Sequence, residues 1–91
     1  MDFGLEDNYP NPFNPETTIG YDLPEKSRVI LTIIDVLGRE LYRLVDAEQA
    51  PGHHEVQWDG RTTEGTAASG VYLYRLQAGS FEKVKKMALL R

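Results

Sequence analysis

The chain has 91 residues, 41% hydrophobic and 26% charged, with a formal net charge of -4 and no cysteine. This is one domain of ordinary soluble composition, small enough to bury only about 60–65% of its unfolded surface. An acidic balance excludes the basic footprint of a nucleic-acid binder, and the lack of cysteine excludes a disulfide scaffold and a thiolate metal site. No apolar run approaches the ~20 residues of a membrane-crossing helix, and Met1-Asp2-Phe3 has neither the basic region nor the apolar core of a signal peptide.

Residues 8–17, N-Y-P-N-P-F-N-P-E-T, hold three of the five prolines. Proline fixes its own φ and pushes the preceding residue towards extended geometry, so a stiff lead-in is predicted, with Tyr9 and Phe13 plugging one end of a β core. Thr17 to Leu23 alternates, with Ile19, Tyr21 and Leu23 on one side, as a half-buried strand does. Arg28 to Val36 is apolar on both faces. It is therefore either a central strand covered twice or one with a face left for a neighbour. After a turn at Leu37-Gly38, Arg39 to Asp46 returns. Its apolar residues Leu41, Leu44 and Val45 break alternation, which predicts a bulge near Tyr42–Arg43. Ala47 to Gly52 reads as a polar loop, and His53 to Trp58 as a strand carrying His54, Val56 and Trp58 on one face.

Trp58 opens W-D-G-R-T-T-E-G-T-A-A-S-G-V-Y-L-Y-R-L, which joins two β-type runs through a segment with no regular pattern. Asp59-Gly60 is a turn pair, since a short carboxylate bonds the amides just beyond it. Val71 to Ala78 follows as a strand, then a hairpin turn at Gly79-Ser80, then Phe81 to Arg91. No stretch combines a 3.6-residue apolar period with a capping box. Six short strands with regular turn signals predict an all-β sandwich. Its expected core is Ile19, Tyr21, Val29, Leu31, Ile33, Val56, Trp58, Tyr72, Tyr74 and Leu76.

Chemistry is sparse. Neighbouring residues of a strand point to opposite faces, so His53 and His54 do not jointly hold a metal. Asp59 and Glu64 in a glycine-rich loop are hard oxygen donors for calcium, but the spacing of a calcium loop is missing and a turn held by Asp59 is the simpler reading. Ser27, Ser69 and Ser80 stand in no nucleophile motif. No catalytic residue, cofactor or metal is expected, and the chain does not read as an enzyme. Lys83, Lys85, Lys86 and Arg91 make the C-terminus the basic end of an acidic domain. They either protect an edge strand from aggregation or form a recognition tail, with M-A-L-L entering a receptor groove or extending a receptor sheet.

Taken in order, N-Y-P-N-P-F-N-P-E-T-T-I at 8–19, D-V-L-G-R-E at 35–40 and W-D-G…S-G-V-Y-L-Y-R-L…K-K-M-A-L-L-R from 58 to 91 resemble the C-terminal sorting domain of the type IX secretion system of Bacteroidota. They are also similar to the Ig-like domain of flagellar hook-capping proteins. The resemblance implies a seven-stranded, Greek-key, Ig-like sandwich over residues 8–91, with 1–7 a linker from an upstream cargo domain. It further implies a non-catalytic export address that sends its cargo to the cell surface or the medium. The outer-membrane translocon would read that address, and a surface sortase would act afterwards. Carried over residue by residue, recognition falls on Gly70 and Tyr72 of the glycine-x-tyrosine element and on Lys86, Met87, Ala88, Leu89 and Leu90 of the terminal strand. Tyr9, Phe13, Trp58, Asp59 and Gly60 are expected to be structural. Two alternatives stand beside this: an assembly module of the hook-capping kind, and a carbohydrate-binding accessory module, which needs an exposed aromatic platform.

Overall fold

A computed structural model of the chain describes residues 2–91. Among the described residues there is no helix, and nine strands follow one another: β1 Gly4–Leu5, β2 Thr17–Leu23, β3 Ser27–Ile34, β4 Glu40–Gln49, β5 Gly52–Trp58, β6 Arg61–Thr62, β7 Gly65–Thr66, β8 Gly70–Ala78 and β9 Phe81–Leu89. A three-stranded sheet, β1-β2-β5, faces a four-stranded sheet, β4-β3-β8-β9, with all neighbours antiparallel. The chain changes sheet between β2 and β3, between β4 and β5 and between β5 and β8, which is the Greek-key path of an Ig-like sandwich.

Alternation places the core. Ile19, Tyr21, Leu23, Val29, Leu31, Ile33, Trp58, Tyr74 and Leu76 are all buried between the sheets, and full burial of one aliphatic side chain contributes about 1.5–3 kcal/mol. Val56 and Tyr72, expected in the core, are half-buried and pack against it. Leu5, Ala67, Met87 and Leu89 complete it. The two-faced run is the central β3, held between β4 and β8.

Several expectations give way. Within the stretch expected to be a linker, Gly4 and Leu5 pair with Asp22 and Tyr21, Leu5 is buried, and Phe3 stacks on Phe81 with ring centroids 5.3 Å apart. Tyr9 does not plug the core but is 80% exposed, whereas Phe13 is 1% exposed. The reason is register. Tyr9 exchanges both backbone hydrogen bonds with Thr18, at 2.9 Å each, and directly opposed residues share a face; Thr18 faces away from the core that Ile19 enters. Two irregularities, after Leu31 and after Ile33, skip Leu44 and Leu41 and so flank Tyr42–Arg43, where one bulge was predicted. Residues 47–49, read as loop, continue β4. They lack an apolar signal because they lie on an exposed edge, where a Lys26–Glu48 ion pair (3.6 Å) links them to the turn before the adjoining strand. The segment after Trp58 is not wholly irregular either, since β6 and β7 form a small hairpin.

The β3–β4 turn shows how the sequence closes such connections. Asp35 Oδ1 accepts hydrogen bonds from the backbone N–H groups of Leu37 and Arg39, both at 2.9 Å, and Gly38 N–H donates to the Asp35 carbonyl at 2.9 Å. Gly38 takes a φ of +86°, the left-handed position that closes a three-residue hairpin loop. These donors, Arg39 first, hold the Asp35 carboxyl below its ordinary range.

Candidate functional site

β9 is an edge strand of the four-stranded sheet, and β8 lies beside it in a register that gathers the resemblance-derived residues into one patch. Gly70 is opposite Leu89, Val71 opposite Ala88, Tyr72 opposite Met87 and Leu73 opposite Lys86. Alternation then divides the terminal residues. Met87 and Leu89 point inward and are 1% and 0% exposed, while Leu90 is 56% exposed. Lys86 is exposed and Ala88 half-exposed on the outer face. The M-A-L-L run is therefore not a free apolar tail, because two of its side chains belong to the domain's own core.

The outer edge of β9 is partly covered. Phe13 N–H donates to the Ala88 carbonyl and Leu90 N–H to the Phe13 carbonyl, both at 3.0 Å, while Ala88 N–H donates to Asn11 Oδ1 at 3.0 Å. The proline-rich lead-in thus runs parallel to the last residues of the chain. Upstream, Lys85 Nζ lies 2.9 Å from Asp7 Oδ1, and this hydrogen bond holds the Asp7 carboxyl below its ordinary range. Of the C-terminal lysines, Lys85 is turned towards the N-terminal segment, while Lys83 and Lys86 are exposed.

Behind the patch, Phe13, Trp58 and Tyr72 form an aromatic group. The Trp58 ring centroid is 5.7 Å from that of Phe13 and 5.8 Å, edge-on, from that of Tyr72. Trp58 Nε1 donates to the Arg61 carbonyl at 2.8 Å, and the Tyr72 hydroxyl donates to the Ala68 carbonyl. Asp59 holds the intervening turn, its Oδ1 accepting from Arg61 N–H at 3.0 Å. Gly60 has a φ of +87°, and its carbonyl accepts from Ala67 N–H at 2.7 Å. Arg91, read from the sequence as part of the basic C-terminal end, also lies here. Its Nε donates to the Ala67 carbonyl at 2.8 Å and its backbone N–H to Ser69 Oγ at 2.9 Å, so the last residue ties the 60–69 loop to the terminal strand. Only tertiary structure joins positions so far apart.

His53 and His54 do lie on opposite faces. His54 stacks on Tyr21, with centroids 5.4 Å apart, and its Nε2 is 2.8 Å from the Ala50 carbonyl. His53 lies on the outer face of the three-stranded sheet, its Nδ1 2.8 Å from Asp22 Oδ1 and its Nε2 3.1 Å from Glu55 Oε2; these hydrogen bonds raise its pKa. Among the described residues, the one group of acids and histidines close enough to share a cation is Glu6, Asp22 and His53; Asp59 and Glu64 are not part of it. Tyr9 is the one aromatic among the exposed large hydrophobics of the described residues.

Two facing antiparallel sheets with Greek-key connections, closed at one end by Phe13, Trp58 and Tyr72, define an Ig-like β-sandwich domain. Residues 11–81 match the family described as the FlgD Ig-like domain, and the chain belongs to that family. No curated protein matches the chain. Among solved structures, its fold is similar to part of dimeric latent PorU from Porphyromonas gingivalis, with a TM-score of 0.72 and 20% sequence identity. That alignment covers 99% of this chain and 10% of PorU, so the chain spans about a tenth of the length of that protein and the likeness is one of fold. Among the described residues, no helix is long and apolar enough to cross a membrane.

Proposed function

We propose that this domain is a non-catalytic C-terminal sorting signal. An outer-membrane translocon of the type IX kind recognises its terminal strand, delivers an upstream cargo to the cell surface or the medium, and hands it on to a surface sortase. The observation that supports this reading is the β8–β9 register, which sets Gly70 and Tyr72 against Met87–Leu89 at the edge of a sheet. Within that patch Lys86, Ala88 and Leu90 offer the outward face a receptor would touch, while Met87 and Leu89 hold the strand flat by core packing. The lead-in already occupies the outer backbone groups of Ala88 and Leu90, so it is the outward side chains of the strand that suit such a role.

The test is an export assay in a type IX-competent bacterium, with residues 1–91 fused behind a periplasmically targeted fluorescent reporter. Surface or medium delivery of the fusion, with the bare reporter kept in the periplasm, is the expected result. The family match favours one competing reading, an assembly module of the flagellar hook-capping kind, with no role for β9 in export. A folded fusion that stays periplasmic would favour that reading.

A further inference from the structure

The outer face of the three-stranded sheet carries a group of charges that the terminal strand does not explain. Glu6 follows β1, Asp22 lies on β2, and His53 and Glu55 lie on β5. Registers bring them together, with Asp22 opposite His53 and Gly20 opposite Glu55. Asp22 and Glu55 both contact His53. The Glu6 carboxylate makes no hydrogen bond or ion pair among the described residues, and no Lys or Arg there pairs with any of the three acids. Three carboxylates around one imidazole leave a net negative charge even when the imidazole is protonated, and like charges at such spacing repel.

Gly20 leaves the space into which the Glu6 side chain reaches. A Cβ at position 20 would lie 2.3 Å from Glu6 Oε1 and 3.2 Å from His53 Cε1. Glycine in the middle of a strand weakens it and marks a place where another group comes close. Here the group that comes close is the Glu6 carboxylate, laid across the sheet towards His53.

We propose that Glu6, Asp22 and His53 form a binding site for a divalent transition metal of the zinc type. One ligand atom from each of the three residues lies within 4.8 Å of the other two, and zinc takes imidazole nitrogen and carboxylate oxygen at about 2.0–2.2 Å. The imidazole ligand selects against magnesium and calcium, which take oxygen. Glu55 completes the arrangement. With the metal on Nδ1, the Nε2 proton of His53 is donated to Glu55, the outer carboxylate partner that metal-bound histidines commonly have. Binding releases the Nδ1 proton to solvent, and a water molecule fills the fourth position. The site ties the N-terminal segment to β2 and β5. It lies on the sheet that does not contain β9, so it stands independently of the sorting role.

The test is titration of the 91-residue chain with zinc chloride at neutral pH by calorimetry, with thermal unfolding recorded alongside. Binding of one equivalent with a rise in Tm is expected, and magnesium chloride should give neither. His53→Ala should abolish binding. Glu6→Gln should weaken it by about tenfold or more, and Gly20→Ala, which displaces the Glu6 carboxylate without removing a ligand, should do the same. His54→Gln should leave the affinity within about twofold, as expected of a residue outside the site. No saturable zinc binding, zinc binding unchanged in His53→Ala, or an affinity unmoved by both Glu6→Gln and Gly20→Ala would each overturn the proposal.

Discussion

A Cβ on Gly60 would lie 2.6 Å from Nη2 of Arg91, so the glycine of the turn after Trp58 and the last residue of the chain occupy one shared volume. Gly60 also has a φ of +87°, a conformation that costs a residue with a side chain about 1–2 kcal/mol. Gly60→Ala should therefore lower stability in urea unfolding by at least that amount. Removing the guanidinium first should relieve part of the loss. A double-mutant cycle with Arg91→Ala should give a coupling of about 0.5 kcal/mol or more, as expected for groups in contact.

Trp58 is 1% exposed and contacts both Phe13 and Tyr72. Trp58→Ala should cost about 3–5 kcal/mol, a large share of the roughly 5–15 kcal/mol that holds a domain folded. Equilibrium unfolding measures this directly. A mutant that melted like wild type would refute the placement of Trp58 in the core.

Alternation along β9 makes a paired prediction. Leu89 is 0% exposed and Leu90 56% exposed. Leu89→Ala should cost about 2–5 kcal/mol, while Leu90→Ala should stay within about 0.5 kcal/mol of wild type. Equal losses at the two positions would contradict the inward and outward assignment of the terminal strand.

The Asp35 carboxyl titrates below its ordinary value because the backbone N–H of Arg39, with further bonds from the Arg39 side chain and Leu37, favours its ionised form. A folded pKa below the unfolded one gives stability that is fully present above the unfolded pKa and lost as pH falls through the folded pKa. Wild type should thus lose, in acid, an increment that Asp35→Asn lacks already at neutral pH. The two stability curves should converge as pH falls through the folded pKa of Asp35. A constant gap between them across that range would exclude the Asp35 turn as its source.

Much of this fold is legible in the residues because strand alternation reports burial directly. Thr17–Leu23 alternates cleanly and has the bounds predicted for it, and the Gly79-Ser80 turn follows from glycine at the first position of a two-residue hairpin. Where burial is weak, the signal fails. Ala47 to Gln49 pairs with Ser27–Val29 on an exposed edge, and Gly4–Leu5 is too short to show a period. Tyr9 misleads because its face is set by pairing with Thr18 rather than by its own hydrophobicity. The candidate patch is legible only in part. The sequence names Gly70, Tyr72 and the terminal residues, but Arg91 against Gly60, and Glu6 against His53, depend on contacts between distant positions that no local pattern encodes.

The central claim is that a receptor reads the outward face of β9. The most direct measurement is export of reporter fusions carrying Lys86→Glu with Leu90→Glu, compared with wild type, after circular dichroism and thermal melts show the variant domain folded. The account predicts that the folded double variant remains in the periplasm while wild type reaches the surface or the medium. Export of the folded double variant at the wild-type level would contradict it.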